Sequence, residues 1–158
     1  MAVPVQGQTA RERRSVSVTE LFGVDAVRLW RAISDFEHID AWANLKVVST
    51  TGTGIGDTRT IEMPSGQVVT ERLIEFDSAR QSLAYEAVEP NPYPMRNYRS
   101  IISLEAIANR QCRLNWLGEY EPLTGTDFLK TDALVRRIYQ AGIDLLHTHL
   151  GDWERPDC

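Results

Sequence analysis

TDFLKTDALVRRIYQAGIDLLHTHLG, residues 126–151, is the stretch whose reading decides the fold. Thr126 or Asp127 is placed to cap a helix, and Gly151 and Pro156 end it near Leu150. Val135, Ile138, Tyr139, Gly142, Leu145 and Leu146 recur at helical spacing and give one broad apolar face. Such a face must be covered by another layer. Gly142 sits in the middle of it, where a larger side chain would fill a core better. Either the helix packs closely on its partner layer there, or a hollow opens between the two.

The partner layer lies upstream. Leu45–Val48, Arg59–Met63, Val68–Phe76, Ser82–Val88, Tyr98–Ile107 and Cys112–Glu121 read as strands, with turns at Thr51–Gly56, Pro64–Gly66, Asp77–Arg80 and Asn109–Arg110. Pro90-Asn91-Pro92-Tyr93-Pro94 cannot pair as a central strand and is read as a loop. Strands in a row with short turns make an antiparallel meander. Ahead of them Ser15–Thr19 alternates polar and apolar, a strand that Gly23 breaks. Asp25 is placed to cap a helix from Ala26 to about Ile33, with Val27, Trp30 and Ile33 as its apolar positions, and a short second helix follows through His38–Trp42. The expected fold is α+β: a curved antiparallel seven-stranded sheet wrapped around the long C-terminal helix, with two short helices after the first strand.

The chain's 158 residues correspond to a single domain, expected over 14–151 with tails at 1–13 and 152–158. Its hydrophobic fraction of 42% suffices for a core without staples. Seventeen Lys and Arg against 22 Asp and Glu leave a net charge of −5, a poor match for a nucleic-acid backbone. Arg11, Arg13 and Arg14 read as a solvated charge run. Cys112 and Cys158 form no CxxC or metal spacing, and Cys112 reads as a core residue. This usage is compatible with a reducing cytoplasm, the expected location. No run approaches the roughly 18 apolar residues of a membrane span, and Met1–Val5 carries no basic segment ahead of an apolar one. No metal and no cofactor is expected. A homodimer is compatible with the chain.

Strand alternation assigns faces. Arg59, Ile61 and Met63 share one, and the apolar pair suggests that Arg59 points inward. On the next strand Glu71 lies with Val69 and Leu73, opposite Thr70 and Arg72, and pattern alone does not choose between the faces. Tyr85, Tyr98, Ser100, Trp116 and Tyr120 fall on the apolar sides of their strands. Aromatic walls with a few polar groups describe a small-molecule pocket. His147 and His149, two apart on the helix, form no metal pair, and His149 extends the buried stripe toward the cavity end. Gly52-Thr53-Gly54-Ile55-Gly56 misses the dinucleotide-binding spacing, and no Gly-x-Ser-x-Gly elbow is present.

The run Trp30-Arg31-Ala32-Ile33-Ser34-Asp35-Phe36 within Val27–Trp42, then Gly56-Asp57-Thr58-Arg59, Thr70-Glu71-Arg72-Leu73, Asp77, Tyr85, Asn97-Tyr98-Arg99-Ser100 and Leu114-Asn115-Trp116, resembles the START-like helix-grip (SRPBCC) superfamily over residues 14–150. On overall look it is most similar to the bacterial polyketide cyclase/dehydrase type. The plant abscisic acid receptors share the threonine-arginine, glutamate-arginine-leucine and asparagine-tyrosine motifs, but Pro64-Ser65-Gly66-Gln67 and Pro92-Tyr93-Pro94 lack the residues of their two gating loops. The resemblance implies that these loops rim a pocket mouth. It puts Glu71 inside, where Arg59 can pair with it, and makes Lys46 a candidate partner for a ligand carboxylate or carbonyl. It implies a hydrophobic or aromatic small-molecule ligand, and most of all a metal-free aldol-type cyclase or dehydratase. In that reading Arg59 stabilises an enolate, Glu71 is the base and Tyr98 donates a hydrogen bond or proton. Ile61, Met63, Tyr85, Ser100, Trp116, Tyr120, Val135, Tyr139, Gly142 and Leu146 form the wall, with Trp116, Tyr120 and Tyr139 stacking on the ligand. The alternatives are a non-catalytic carrier or sensor and, more weakly, a co-chaperone module.

Overall fold

A computed structural model of the protein describes residues 12–151. Residues 1–11 of the expected tail at 1–13, and all of the expected tail at 152–158 with Cys158, lie outside the described residues. Strand β1 (Arg14–Phe22) is followed by helix α1 (Ala26–Ser34) and a 3-10 turn (Phe36–Ala41). Then come β2 (Lys46–Thr50), β3 (Thr58–Glu62), β4 (Val68–Asp77), β5 (Ser82–Ala87), β6 (Met95–Ala108), β7 (Gln111–Pro122) and helix α2 (Phe128–Leu150). All pairings are antiparallel, in the order β1-β7-β6-β5-β4-β3-β2. The first strand therefore lies beside the last, Arg14 opposite Tyr120 and Phe22 opposite Cys112. Helix α1 and the 3-10 turn carry the chain from one edge of the sheet to the other. Register shifts in β2, β4 and β6 are bulges, which bend and twist a strand and help the sheet curve.

The ends of α2 form as the sequence predicts. Asp127 accepts a hydrogen bond from the Leu129 N–H at 3.0 Å, and Gly151 closes the helix in the left-handed region at φ 67°. Helix α1 differs. The Asp25 side chain does not cap it; its Oδ1 accepts from the Arg110 N–H at 2.9 Å and ties the helix start to the β6–β7 turn. Val27 is 55% exposed, because the buried face is Ala26, Leu29, Trp30 and Ile33.

The apolar stripe of α2 is two stripes. Val135, Tyr139, Ile143, Leu146 and Leu150 are fully packed, on a helix that lies against β1 and β7. Ile138, Gly142 and Leu145 lie one step around the helix and are only partly covered. The helix thus leans to the β1–β7 side of the curved sheet, and its other flank looks across a gap toward β3, β4 and β5. Glycine sets both close approaches. A Cβ on Gly118 of β7 would collide with the Tyr139 hydroxyl, and one on Gly142 would lie 2.9 Å from the Trp116 ring.

One polar lock holds the start of α2. Arg14 Nη2 donates to Asp132 Oδ2 at 2.6 Å and Nε lies 3.2 Å from both carboxylate oxygens. Tyr120 Oη donates to Asp132 Oδ1 at 2.5 Å, and the Arg14 guanidinium lies 4.0 Å from the centre of the Phe128 ring. Arg14 is therefore a strand residue in an ion pair, not part of a solvated charge run. Arg13 is exposed and lies 4.0 Å from Glu121.

The packing and the lock each have a measurable consequence. Gly118→Ala will lower stability in urea by about 1–3 kcal/mol, and adding Tyr139→Phe will return part of the loss, because the colliding atom is the phenolic oxygen. The hydrogen bonds from Arg14, reinforced by Tyr120, hold the Asp132 carboxyl below its ordinary value of 3.8 against the opposing effect of burial. Its stabilisation is present above the unfolded value and fades as pH falls through the lower folded one. Asp132→Asn will therefore be less stable than the parent at neutral pH, and the gap will narrow below about pH 4, read by thermal unfolding across pH.

Candidate active site in the helix–sheet gap

The gap is a cavity of about 290 Å³. Its sheet wall is Arg59 and Ile61 from β3 with Met63 just past its end, Glu71 from β4, Tyr85 from β5, Tyr98 from β6 and Trp116 from β7. The helix wall is Ile138, Ala141, Gly142 and Leu145. Ile39, Trp42, Ala43 and Leu45 close one end, while Pro64 and Tyr93 come from the two loops expected to rim a mouth. Those loops meet where Tyr93 Oη donates to Met63 Sδ at 3.7 Å. Asn44 and Ala141 are exposed lining residues and mark the opening.

Arg59 and Glu71 stand directly opposite each other on β3 and β4 and are only 4% and 6% exposed. The 2.0-residue period puts both on the face that carries Ile61, Val69 and Leu73. Arg59 Nε donates to Glu71 Oε1 at 2.9 Å, and Nη2 lies 2.9 Å from the same oxygen. Nη1 donates to the Phe36 carbonyl at 2.9 Å. The guanidinium sits 3.9 Å from the centre of the Phe36 ring and 5.0 Å from that of Tyr85. Burying two charges is tolerable when each is paired and the spare donors are used. The arrangement uses Oε1 twice; no hydrogen bond among the described residues goes to Oε2. Upstream, Asp57 shapes the turn that delivers Arg59, accepting from Thr51 Oγ1 at 3.0 Å and the Gly54 N–H at 2.9 Å.

Behind the wall lies a buried polar chain. Trp116 Nε1 donates to Ser100 Oγ at 2.7 Å, Ser100 Oγ meets Tyr139 Oη at 3.1 Å, and Tyr139 Oη meets Tyr98 Oη at 2.5 Å. Trp116 and Tyr139 stack at 4.6 Å, inclined by 12°. Burial above all pushes the Tyr98 phenol well above its ordinary value, so it keeps its hydrogen at neutral pH. Burial does the same to Tyr85.

Of the residues expected in the site, the fold brings Arg59, Ile61, Met63, Glu71, Tyr85, Tyr98, Trp116 and Gly142 to the cavity. Six others stand elsewhere. Lys46 is exposed opposite Glu62 on an edge strand, because alternation turns Val47 inward and Lys46 out. Tyr120 is fully buried in the Asp132 lock. Val135, Tyr139 and Leu146 belong to the packed stripe of α2, and Ser100 lies behind Trp116. Tyr139 consequently stacks on Trp116 rather than on a ligand. His149 is exposed in an outer groove beside Arg28, Arg31 and His38. His147 is the buried one, stacked 4.1 Å from Phe22. Trp42, Leu45, Tyr93 and Ala141 are lining residues that strand alternation cannot find, since Trp42, Leu45 and Tyr93 lie outside the strands. Ile138 and Leu145 carried a signal in their helical spacing with Gly142. Among the described residues, no helix is long and apolar enough to cross a membrane, and no three His, Cys, Asp or Glu side chains gather as a metal site.

Solved structures share this architecture. An uncharacterized protein of Bacillus thuringiensis is 24% identical, with 87% of this chain and 99% of that one covered at a TM-score of 0.76. The protein XoxI of Bacillus cereus is 22% identical, with 89% and 98% covered at 0.76. Norcoclaurine synthase of Thalictrum flavum, in complex with dopamine and hydroxybenzaldehyde, is 13% identical, with 98% and 96% covered at 0.70. Likeness at these identities establishes the helix-grip fold. A comparison with curated proteins finds no match. Residues 13–151 match the family described as polyketide cyclase / dehydrase and lipid transport, a span that takes in both helices, all seven strands and the cavity between them. By that match the chain belongs to the polyketide cyclase / dehydrase and lipid transport family.

Proposed function

We propose that the protein binds an aromatic or hydrophobic carbonyl compound in this cavity and catalyses its intramolecular aldol-type cyclisation and dehydration. The observation that carries the reading is the buried Arg59–Glu71 pair, whose carboxylate has one oxygen that takes no hydrogen bond from the guanidinium, in an otherwise apolar, aromatic-walled space. Glu71 Oε2 takes a proton from the carbon next to a ligand carbonyl. The Tyr98 phenol hydrogen-bonds the resulting enolate oxygen, and Arg59 balances the negative charge. The enolate carbon attacks a second carbonyl of the same molecule, and the new alkoxide takes the proton back from the Glu71 carboxyl. Glu71 then removes a further proton from the carbon between the carbonyl and the carbinol and hands it to the departing hydroxide, so that water leaves and Glu71 is again a carboxylate. The apolar walls fold the chain so that its two reacting carbons meet, which lowers the entropic part of the barrier. The bound dopamine and hydroxybenzaldehyde of the Thalictrum enzyme lend support, since they are small aromatic rings in the same fold, one bearing an aldehyde. Cytoplasmic placement and action without metal or nucleotide belong to the same proposal.

The test uses aryl polyketones of graded length, with conversion followed as loss of water by mass spectrometry. Glu71→Gln is expected to lower turnover by about 10²–10⁴-fold while the ligand still binds. Undiminished turnover in Glu71→Gln removes it as the base. Saturable binding of every polyketone with no conversion by the parent protein replaces the enzyme with a carrier.

A further inference from the structure

The polar chain behind the cavity has a direction. An indole nitrogen only donates, so the first link is fixed: Trp116 gives its hydrogen to Ser100. Three links join four hydrogen-bearing groups, the Trp116 N–H and the hydroxyls of Ser100, Tyr139 and Tyr98. One hydrogen is therefore left over. If every link runs the same way, each hydroxyl accepts one hydrogen bond and donates one, and the bonds polarise one another. The surplus hydrogen then belongs to Tyr98, which lines the cavity. If the hydroxyl links ran backward, Ser100 would accept twice and the surplus would fall on Ser100 itself. That residue is fully buried, and Tyr85 is the other phenol it reaches. The backward arrangement leaves Tyr98 accepting nothing. The negative charge of Glu71 also acts on the Tyr98 phenol and helps it keep its hydrogen.

We propose that Trp116, Ser100 and Tyr139 are positioning residues that aim the Tyr98 hydrogen into the cavity, which makes the protein selective for planar aromatic ketones and aldehydes over hydrocarbons of the same shape. The proposal rests on the carbonyl-binding reading above and gives it a specificity determinant. Tyr98 meets the ligand, whereas the other three act only through it. Trp116 also serves a second purpose. Its ring lies within close contact of Gly142, so the residue that starts the chain forms part of the flat wall on which a ring can lie.

The probe is 2-acetylnaphthalene labelled with carbon-13 at its carbonyl, bound to the whole chain. Its carbonyl stretch is read by infrared difference spectroscopy and its affinity by calorimetry. The stretch is expected at lower wavenumber than in hexane, and 2-ethylnaphthalene should bind roughly tenfold more weakly, the worth of one hydrogen bond. Tyr98→Phe should return the stretch to its hexane position. Tyr139→Phe and Ser100→Ala leave Tyr98 in place yet should move the stretch part of the way back, an effect that lost packing alone does not produce. Tyr85→Phe should move it less than Tyr98→Phe does. The tyrosine variants each remove a single oxygen and keep the ring, so their folding can be verified by unchanged circular dichroism. A bound ketone whose stretch matches hexane, or a shift abolished by Tyr85→Phe and kept in Tyr98→Phe, overturns the donor assignment and leaves the cavity reading standing. A shift identical to the parent's in both Tyr139→Phe and Ser100→Ala overturns the chain. Failure of both naphthalenes to bind sinks the cavity reading, and this proposal with it.

Discussion

A guanidinium and a carboxylate held out of water by two aromatic rings are the constraint around which this molecule is arranged. Removing either partner of such a pair leaves an uncompensated buried charge, at about 3–5 kcal/mol. The surroundings answer that demand from three directions. Strands β3 and β4 place the two side chains in direct opposition. The 3-10 turn supplies the Phe36 carbonyl and ring to the guanidinium. Tyr85 on β5 covers the other side. The 3-10 turn is thereby anchored to the sheet by a polar contact as well as by Phe36 and Ile39 in the core.

The void beside the pair is a matter of where the long helix rests. A helix centred on the sheet would fill the space in front of β3 to β5 with its own side chains. Here the Asp132 lock and the Gly118–Tyr139 contact hold α2 against β1 and β7. The core on that side is solid, with Tyr139, Ile143 and Leu146 fully buried. Stability and binding are thus assigned to adjacent stripes of one helix. Because the stripes differ by only one residue in phase, substitutions at 138, 142 and 145 act on the cavity, while those at 139, 143 and 146 act on folding.

That phase difference also marks how far the sequence could be read. Every strand was visible as an apolar alternation between turn residues, and the helix as a periodic run, so the architecture followed from pattern. Arg59 was placed inside by its neighbours Ile61 and Met63. Glu71 was not, because both faces of β4 carry apolar and polar residues alike, and only resemblance put it with Arg59. Five of the six misplaced site residues share two physical causes. Val135, Tyr139 and Leu146 sit on a stripe that periodicity cannot split, since a span of about 100° of helix surface satisfies one pattern. Ser100 and Tyr120 depend on what stands behind or beside a strand, which alternation does not specify. Lys46 rests on resemblance alone, and alternation turns it outward. Trp42 and Tyr93 come from irregular segments, whose path is set by tertiary contacts such as Tyr93 on Met63 and Trp42 beside Gly142.

The pairing of the first strand with the last bears on how the chain is made. Residues 14–22 have their sheet partner at 112–120, so a nascent chain emerging from the ribosome carries β1 unpaired until nearly the whole domain has been synthesised. The meander from β2 to β7 can form sequentially through near neighbours, and loop closure favours that order. Meanwhile Leu29, Trp30 and Ile33 of α1, buried at 8% exposure or less in the finished protein, have no completed sheet to cover them. The apolar face of this early helix stays exposed until the β6–β7 hairpin, the part of the sheet it packs against, has been made.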